Sequence, residues 1–162
     1  MPSGKVHLHY YKKGYLLVIP EVVALCMWDW KMGIGYLSGY VLGRYCDPDW
    51  DLMSVNASEG RLVNELPIIG HILFGVSSAY GSWHRNHHRS FGTHFPIYST
   101  FWRLVWLLGI PFALLDGYCI NFIGGGWVYF WLSLWVGLSH ADAIHWYLDM
   151  TNKDGRYNDA GM

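Results

Sequence analysis

The sequence has few charged side chains for its length. Charged residues make up only 14% of the 162 residues, whereas 52% are hydrophobic and 18% are aromatic. An ordinary soluble domain carries about 25% charged residues, so this composition predicts association with a membrane. The net charge of −1 also lacks the basic excess that phosphate contacts require, and we therefore expect no nucleic-acid partner.

Cysteine is scarce, and several familiar catalytic motifs are absent from the sequence. Cys26, Cys46 and Cys119 are odd in number and lie in or beside apolar runs, which favours reduced thiols over disulfides or a thiolate zinc site. The sequence contains no Gly-x-Ser-x-Gly elbow, Walker loop, His-Glu-x-x-His helix or dinucleotide fingerprint. The chemistry that remains is a metal held by nitrogen and oxygen ligands.

Four apolar segments organise the chain, at residues 15–30, 32–45, 101–122 and 127–147. A membrane-spanning helix needs about 20 residues, so the short first pair, interrupted by Lys31 and Gly33, predicts a shallow or re-entrant hairpin. The second pair predicts a helical hairpin that turns at the three glycines 124–126. We predict one domain over residues 1–162, a small and mainly α-helical membrane protein with two helical hairpins and a His/Asp-rich central loop region.

A further apolar stretch, residues 66–83, is interrupted by Pro67, Gly70, His71, Gly75 and the serines at 77 and 78. Periodicity does not separate an interfacial helix from a membrane span here, and we favour an interfacial or protein-covered segment.

The basic residues predict an orientation in the membrane. Apart from Lys31, they occur near the N terminus, between residues 44 and 103, and near the C terminus. If both hairpins enter the membrane and return, all three regions lie on one face, which the positive-inside rule makes cytoplasmic. The histidine and aspartate clusters lie on the same face, so scattered ligands would converge on one site.

Two aspartates near the middle of the chain are candidate ligands. Residues 47–51 read Asp-Pro-Asp-Trp-Asp, and carboxylates this close repel one another unless a cation neutralises them. Asp49 and Asp51 could face the same ion, although a solvated loop explains the run equally well. Near the N terminus, His7 and His9 are equally good candidates by their chemistry.

The densest histidine cluster lies in residues 84–94, which hold four of the nine histidines. Imidazole is a common zinc ligand, and a loop containing Gly92 would let His88 and His94 reach one ion. A chance surface cluster is the alternative. Arg89 could hold an anionic substrate group beside the metal, or it could attract lipid headgroups.

The end of the last apolar segment supplies a third cluster. On a helix His145 and Asp149 are one turn apart, and Asp142 lies on the same face three residues before His145. Ionisable groups at such a position are costly unless they are functional. Asp142 is expected to act beside the ligands, whereas His140 should point elsewhere.

The order of these blocks resembles an uncharacterised bacterial family of metal-binding membrane proteins, related to membrane-bound metal-dependent hydrolases. Residues 2–7 resemble the family's opening, 46–51 its Ser-Pro-Asp-Leu-Asp, 88–94 its His-Arg-x-x-x-Ser-His, and 145–149 its closing His-x-x-x-Asp. More distantly, the closing pair is similar to one in zinc-dependent phospholipase C enzymes. The resemblance implies phosphoester hydrolysis and seven metal ligands: His7, Asp49, Asp51, His88, His94, His145 and Asp149.

The leading hypothesis is a membrane-associated hydrolase of phosphoester or lipid-like substrates with one or two divalent ions, zinc or else manganese or iron. Asp51 or Asp142 would accept a proton from metal-activated water, and Arg89 would stabilise developing negative charge. The alternative is a non-catalytic membrane subunit that packs against partner chains or copies of itself around a structural metal. A structural ion has closed coordination, whereas a catalytic ion keeps one position open.

Overall fold

A computed structural model describes residues 4–46, 57–84, 95–114 and 127–151 of the chain. These ranges form six α-helices and contain no strand, which confirms the mainly helical class. Within the same ranges no helix is both long enough and apolar enough to cross a membrane. The helices are α1 (Gly4–Trp28), α2 (Trp30–Leu42), α3 (Ala57–Glu65), α4 (Ile69–His84), α5 (Pro96–Leu114) and α6 (Val128–Thr151).

The first predicted hairpin is formed by α1 and α2, which pack against each other in antiparallel orientation. The hydroxyl of Tyr40 donates a hydrogen bond to the carbonyl of Tyr11 at 2.7 Å, and the two rings stack with centroids 4.6 Å apart. Closer to the turn, the Tyr36 hydroxyl donates to the Glu21 carboxylate. These tyrosines therefore join the two arms along most of α2.

The turn of this hairpin is a single residue, Asp29. Its backbone is extended, and its carboxylate accepts a hydrogen bond from the Lys31 amide at 2.9 Å, which is how aspartate caps a helix N terminus. The prediction was wrong in two places. The break falls at Asp29, whereas Lys31 and Gly33 lie inside α2. Helix α1 begins at Gly4, before the apolar segment that starts at residue 15, because lysine has a helix propensity similar to that of the apolar residues.

A line of glycines joins α2 to α6. Gly35, Gly39 and Gly43 recur every four residues and so share one face of α2. A Cβ at Gly35 would overlap the backbone of Phe130, and one at Gly39 would overlap the carbonyl of Leu134. Because these contacts advance in the same direction along both helices, α2 and α6 are parallel, and small residues let their backbones approach closely.

The close approach at Gly39 should be sensitive to a single methyl group. We expect Gly39→Ala to lower the free energy of unfolding by about 1–3 kcal/mol, because the added Cβ must push the Leu134 backbone away. The matched control is Gly75→Ala on α4, where a Cβ meets nothing within 4 Å and helix propensity should add about 0.5–1 kcal/mol. Chemical denaturation followed by circular dichroism measures both variants. A Gly39→Ala protein as stable as the wild type would contradict the close contact.

The second predicted hairpin corresponds to α5 and α6. The ring of Phe95, just before α5, lies 6.5 Å from the ring of Trp146, and Thr100 donates a hydrogen bond to Asp142. Trp135 on α6 also donates a hydrogen bond from Nε1 to the carbonyl of Ile97 on α5 at 3.4 Å, so the two helices are in contact at several points. The predicted turn at residues 124–126 lies outside the described residues.

The apolar stretch 66–83 mostly forms α4, which packs against α3 and α5. Leu62, Tyr80 and Cys46 are fully buried together in a small core, and the Tyr80 ring meets the edge of Trp106 at 6.2 Å. This face of α4 is therefore covered by protein.

The orientations of α1, α2 and α6 give their assembly two different ends. The N-terminal end of α1 lies with the C-terminal ends of α2 and α6, and a helix rise of 1.5 Å per residue separates His7 from Trp28 by about 30 Å. The opposite end, which we call the apolar end, exposes large hydrophobic side chains on all three helices. They are Leu16, Leu17, Ile19, Val23, Met27, Trp28, Trp30, Ile34, Val128, Tyr129, Leu132 and Val136.

Candidate metal centre

Three predicted ligands meet where the start of α1 lies against the end of α6. His7 Nε2 lies 3.4 Å from Asp149 Oδ1, and His145 Nε2 lies 3.3 Å from Asp149 Oδ2. The two imidazole rings stack with centroids 4.1 Å apart and planes 20° apart. One donor atom from each of the three residues lies within 4.8 Å of the others.

Local packing explains why these side chains meet. His145 and Asp149 are four residues apart on α6 and share one face. His7 reaches them because the hairpin and the glycine contacts bring α1 to the same end of α6. Val6 and Leu148, each adjacent in sequence to one of the ligands, are 0% and 1% exposed, so apolar anchors flank the site on both helices.

The electrostatics of the cluster favour an ionised carboxylate. Burial alone would raise the pKa of Asp149, but the hydrogen bonds and charges of His145 and His7 outweigh burial and hold this pKa well below its usual range. The side chains of His7, His145 and Asp149 are only 14%, 7% and 17% exposed. The cluster therefore presents a charged acceptor between two imidazoles in a largely dry setting.

The arrangement fits a divalent ion. Ligand atoms about 2.1 Å from zinc at tetrahedral angles lie about 3.4 Å apart, and each histidine lies at about this distance from a different oxygen of Asp149. Two imidazoles and one carboxylate form a common zinc set and also suit manganese or iron. Three donors from the described residues would leave a fourth tetrahedral position for a further ligand or water.

A cleft adjoins the cluster and is partly open to solvent. It is small, with a cavity volume of about 30 Å³. Polar and charged side chains from three helices, α1, α3 and α6, and from the segment after α2 contribute to its wall. They include His7, Tyr11, Arg44, Arg61, Asp142 and His145.

Asp142 belongs to a buried ionic network behind this cleft. Its Oδ2 accepts hydrogen bonds from the Arg103 guanidinium and from the Thr100 hydroxyl, and Arg103 also donates to the Cys46 carbonyl. Burial raises the pKa of the Asp142 carboxyl, while the charge of Arg103 and the Thr100 hydrogen bond counteract that rise. The other oxygen, Oδ1, accepts no hydrogen bond from the described residues.

The structure thus brings together His7, His145 and Asp149, with Asp142 beside them in the cleft. The remaining predicted site residues lie outside the described residues; they are Asp49, Asp51, His88, Arg89 and His94. Two described residues flank those segments. The carbonyl of Cys46, the last described residue before Asp49, accepts a hydrogen bond from Arg103, and the ring of Phe95, the first described residue after His94, lies beside the ring of Trp146.

Sequence reasoning missed three arginines. Arg103 is fully buried, and Arg44 and Arg61 contribute to the cleft wall, whereas the sequence suggested only that they mark a membrane face. The usable signal was Arg103 alone within an apolar segment, because an isolated charge there needs a buried partner. His140 points elsewhere, as expected, with its Nδ1 2.5 Å from the Tyr36 hydroxyl.

Comparisons with protein-family models, curated proteins and solved structures found no match for this chain. The resemblance to a bacterial family of metal-binding membrane proteins therefore stays a prediction that rests on the residue blocks themselves. Of the ligands that it implies, the described residues contain His7, His145 and Asp149, and these three form the cluster.

Proposed function

We propose that this protein is a membrane-associated, divalent-metal-dependent hydrolase of phosphoester or lipid-like substrates. The observation that carries the proposal is the meeting of His7 with His145 and Asp149, from opposite helix ends, with donors within 4.8 Å of one another. Zinc suits the set best because it takes imidazole and carboxylate ligands in tetrahedral sites. Asp49, Asp51, His88 and His94 would supply any second ion.

The chemistry follows from an open coordination position. A zinc ion held by His7, His145 and Asp149 would supply activation of water near neutral pH. Hydrolysis of a phosphoester by water would form one P–O bond, break one P–O ester bond and release an alcohol, with the proton of the water ending on the leaving oxygen. Hydrolysis needs no other co-reactant.

Asp142 is placed to handle that proton. Its Oδ2 is held by Arg103 and Thr100, its Oδ1 is buried without a hydrogen-bond donor among the described residues, and the residue belongs to the cleft wall. Burial raises its pKa, which makes the carboxylate a better proton acceptor. Asp51 and Arg89 retain the roles predicted for them, as proton acceptor and as stabiliser of negative charge.

Membrane association is supported by the apolar end. Met27 and Trp28 are 85% and 89% exposed, and soluble monomers rarely expose contiguous apolar patches of this kind. Lys31 lies at the same end with its ammonium over the rings of Trp30 and Trp127, and lysine with tryptophan is typical of lipid interfaces. With the apolar end in lipid, the metal cluster would lie at the membrane surface, on the cytoplasmic side by the positive-inside rule.

One experiment with two substrates tests both parts of the proposal. Zinc-loaded wild type should hydrolyse the soluble diester bis(4-nitrophenyl) phosphate and a phospholipid presented in vesicles. His145→Ala should lower both rates at least about 100-fold, the scale of losing one strong electrostatic stabiliser. The double variant Met27→Glu/Trp28→Glu should retain the first rate and lose the second, because both side chains are exposed and charge there opposes insertion.

The outcomes separate the alternatives. A wild type that binds zinc but hydrolyses neither substrate would contradict the hydrolase proposal and favour the non-catalytic subunit with a structural ion. Equal hydrolysis of vesicles by the Glu double variant would contradict the membrane role of the apolar end, while the hydrolase assignment would stand.

A further inference from the structure

We propose that Arg61 and Arg44 form a phosphoryl-binding subsite opposite the metal cluster, so that the cleft between them takes a phosphorylated substrate by its anionic group. This inference rests on the proposed metal site. The cleft has His7 and His145 on its wall together with these two arginines. A substrate group in the cleft would therefore lie beside two of the candidate metal ligands and beside both arginines.

Arg61 is the better fixed of the two arginines. Its Nε and Nη2 donate hydrogen bonds to the carbonyl of Arg44 at 3.3 and 3.0 Å, which anchors the guanidinium from α3 to the segment that follows α2. A guanidinium held in this way loses little conformational freedom when it binds an anion. The planar fork of arginine also matches phosphate oxygens in a bidentate arrangement.

Arg44 adds a second charge to the same wall. Its Nη2 is 2.7 Å from the Glu65 carboxylate in a partly exposed ion pair, while its Nε is buried and has no hydrogen-bond partner among the described residues. The charge of Arg44 also counteracts the rise in the pKa of Tyr11 that burial causes, and Tyr11 belongs to the cleft wall. The guanidinium therefore acts on the interior of the cleft.

The charges around the cleft explain why the anion should depend on the metal. Among the described residues around the cleft, Arg44 faces Glu65 and Arg103 faces Asp142, whereas the Asp149 carboxylate belongs to the metal cluster. A divalent ion at the cluster would add two positive charges beside the cleft, and this added charge favours binding of a phosphoryl dianion.

The dependence of anion binding on the metal can be measured through thermodynamic linkage between the two affinities. If zinc raises the affinity for an anion, the anion must raise the affinity for zinc by the same factor. Methylphosphonate is a suitable probe because it carries the phosphoryl group without a chain, and calorimetric titration of zinc-loaded wild type gives its affinity. We expect binding of methylphosphonate, at least tenfold weaker binding of acetate, and tighter zinc binding when methylphosphonate is present.

Three variants distinguish the subsite from general attraction. Arg61→Lys keeps the charge but loses the fork, and Arg44→Gln loses the charge; each should weaken methylphosphonate binding about tenfold or more, the loss of a charge-assisted hydrogen bond. Each should still bind zinc. Lys31→Gln is the matched control, because it removes one positive charge at the apolar end and should leave methylphosphonate affinity unchanged.

Each outcome decides a separate claim. Unchanged affinity in both arginine variants, or an equal loss in Lys31→Gln, would overturn the subsite and leave the metal site standing. A wild type without zinc would overturn the metal site, and the subsite would fail with it because the metal supplies the added positive charge. Dihexanoyl phosphatidic acid separates the sources of the phosphoryl group: tighter binding than methylphosphonate indicates a lipid headgroup, and equal binding indicates a free phosphate ester.

Discussion

We expect the His145→Ala variant to contain almost no metal after purification, whereas the wild type should bind about one zinc ion at His7, His145 and Asp149. His7→Ala and Asp149→Ala should behave in the same way, because each removes one of three donors. Removing a residue that only hydrogen-bonds to a ligand lowers metal affinity about 10–100-fold. Removing a ligand itself should therefore lower metal affinity by more than about 100-fold. Elemental analysis of purified protein, followed by titration with zinc, measures the effect.

Two histidines provide controls for this measurement. His9 lies two residues from His7 on α1 and contacts the Tyr10 ring, and His140 lies on α6 beside Tyr36. Neither belongs to the cluster, so His9→Ala and His140→Ala should retain zinc. Metal affinity in all retaining proteins should fall as pH is lowered, because imidazole and carboxylate ligands must be deprotonated to bind. Undiminished zinc in His145→Ala, or none in the wild type, would refute the cluster as a metal site.

Arg103→Met should destabilise the protein by about 3–5 kcal/mol, because it leaves the carboxylate of Asp142 buried without its charged partner. Both side chains are essentially inaccessible to water, at 0% and 1% exposure. Arg103 also donates to the Cys46 carbonyl, so the substitution removes a tie between the segment after α2 and helix α5. Urea denaturation at pH 7 measures the loss.

A double variant tests whether the penalty comes from the orphaned charge. Arg103→Met/Asp142→Leu replaces the ion pair by apolar groups of similar size, and such exchanges are often neutral or stabilising. We expect most of the lost stability to return, although the protein would then lack the Asp142 carboxylate in the cleft. If the double variant is as unstable as Arg103→Met, the network contributes through its shape and not through its charge.

The sequence predicted the parts of the fold that depend on local pattern. The helical class follows from the apolar runs, and the pairing of His145 with Asp149 follows from helical periodicity. His7 was included as a ligand because of the family resemblance, since His9 is an equally good candidate by its chemistry, and the topology predicted only that the N terminus would lie on the same face as the other clusters. That reasoning assumed membrane hairpins, and the same proximity arises here from helix packing.

Other features depend on contacts between distant segments, and no local pattern revealed them. The four-residue spacing of Gly35, Gly39 and Gly43 was visible, but which helix they would contact was not. The break at Asp29 was misplaced because one capping carboxylate outweighed the more conspicuous lysine and glycine that follow. The role of Arg103 was missed because its partner, Asp142, is 39 residues away.

The meeting of α1 with the end of α6 also determines when, during synthesis of the chain, the metal cluster can form. His7 emerges early in synthesis, but its partners belong to the last described helix, so the site forms only after almost the whole described chain has been made. Contacts between such distant segments require closure of a large loop before they contribute stability. A metal that binds only the completed fold stabilises it by mass action, by about 2.7 kcal/mol at a hundred times its dissociation constant. The ion would then stabilise only molecules that have completed folding.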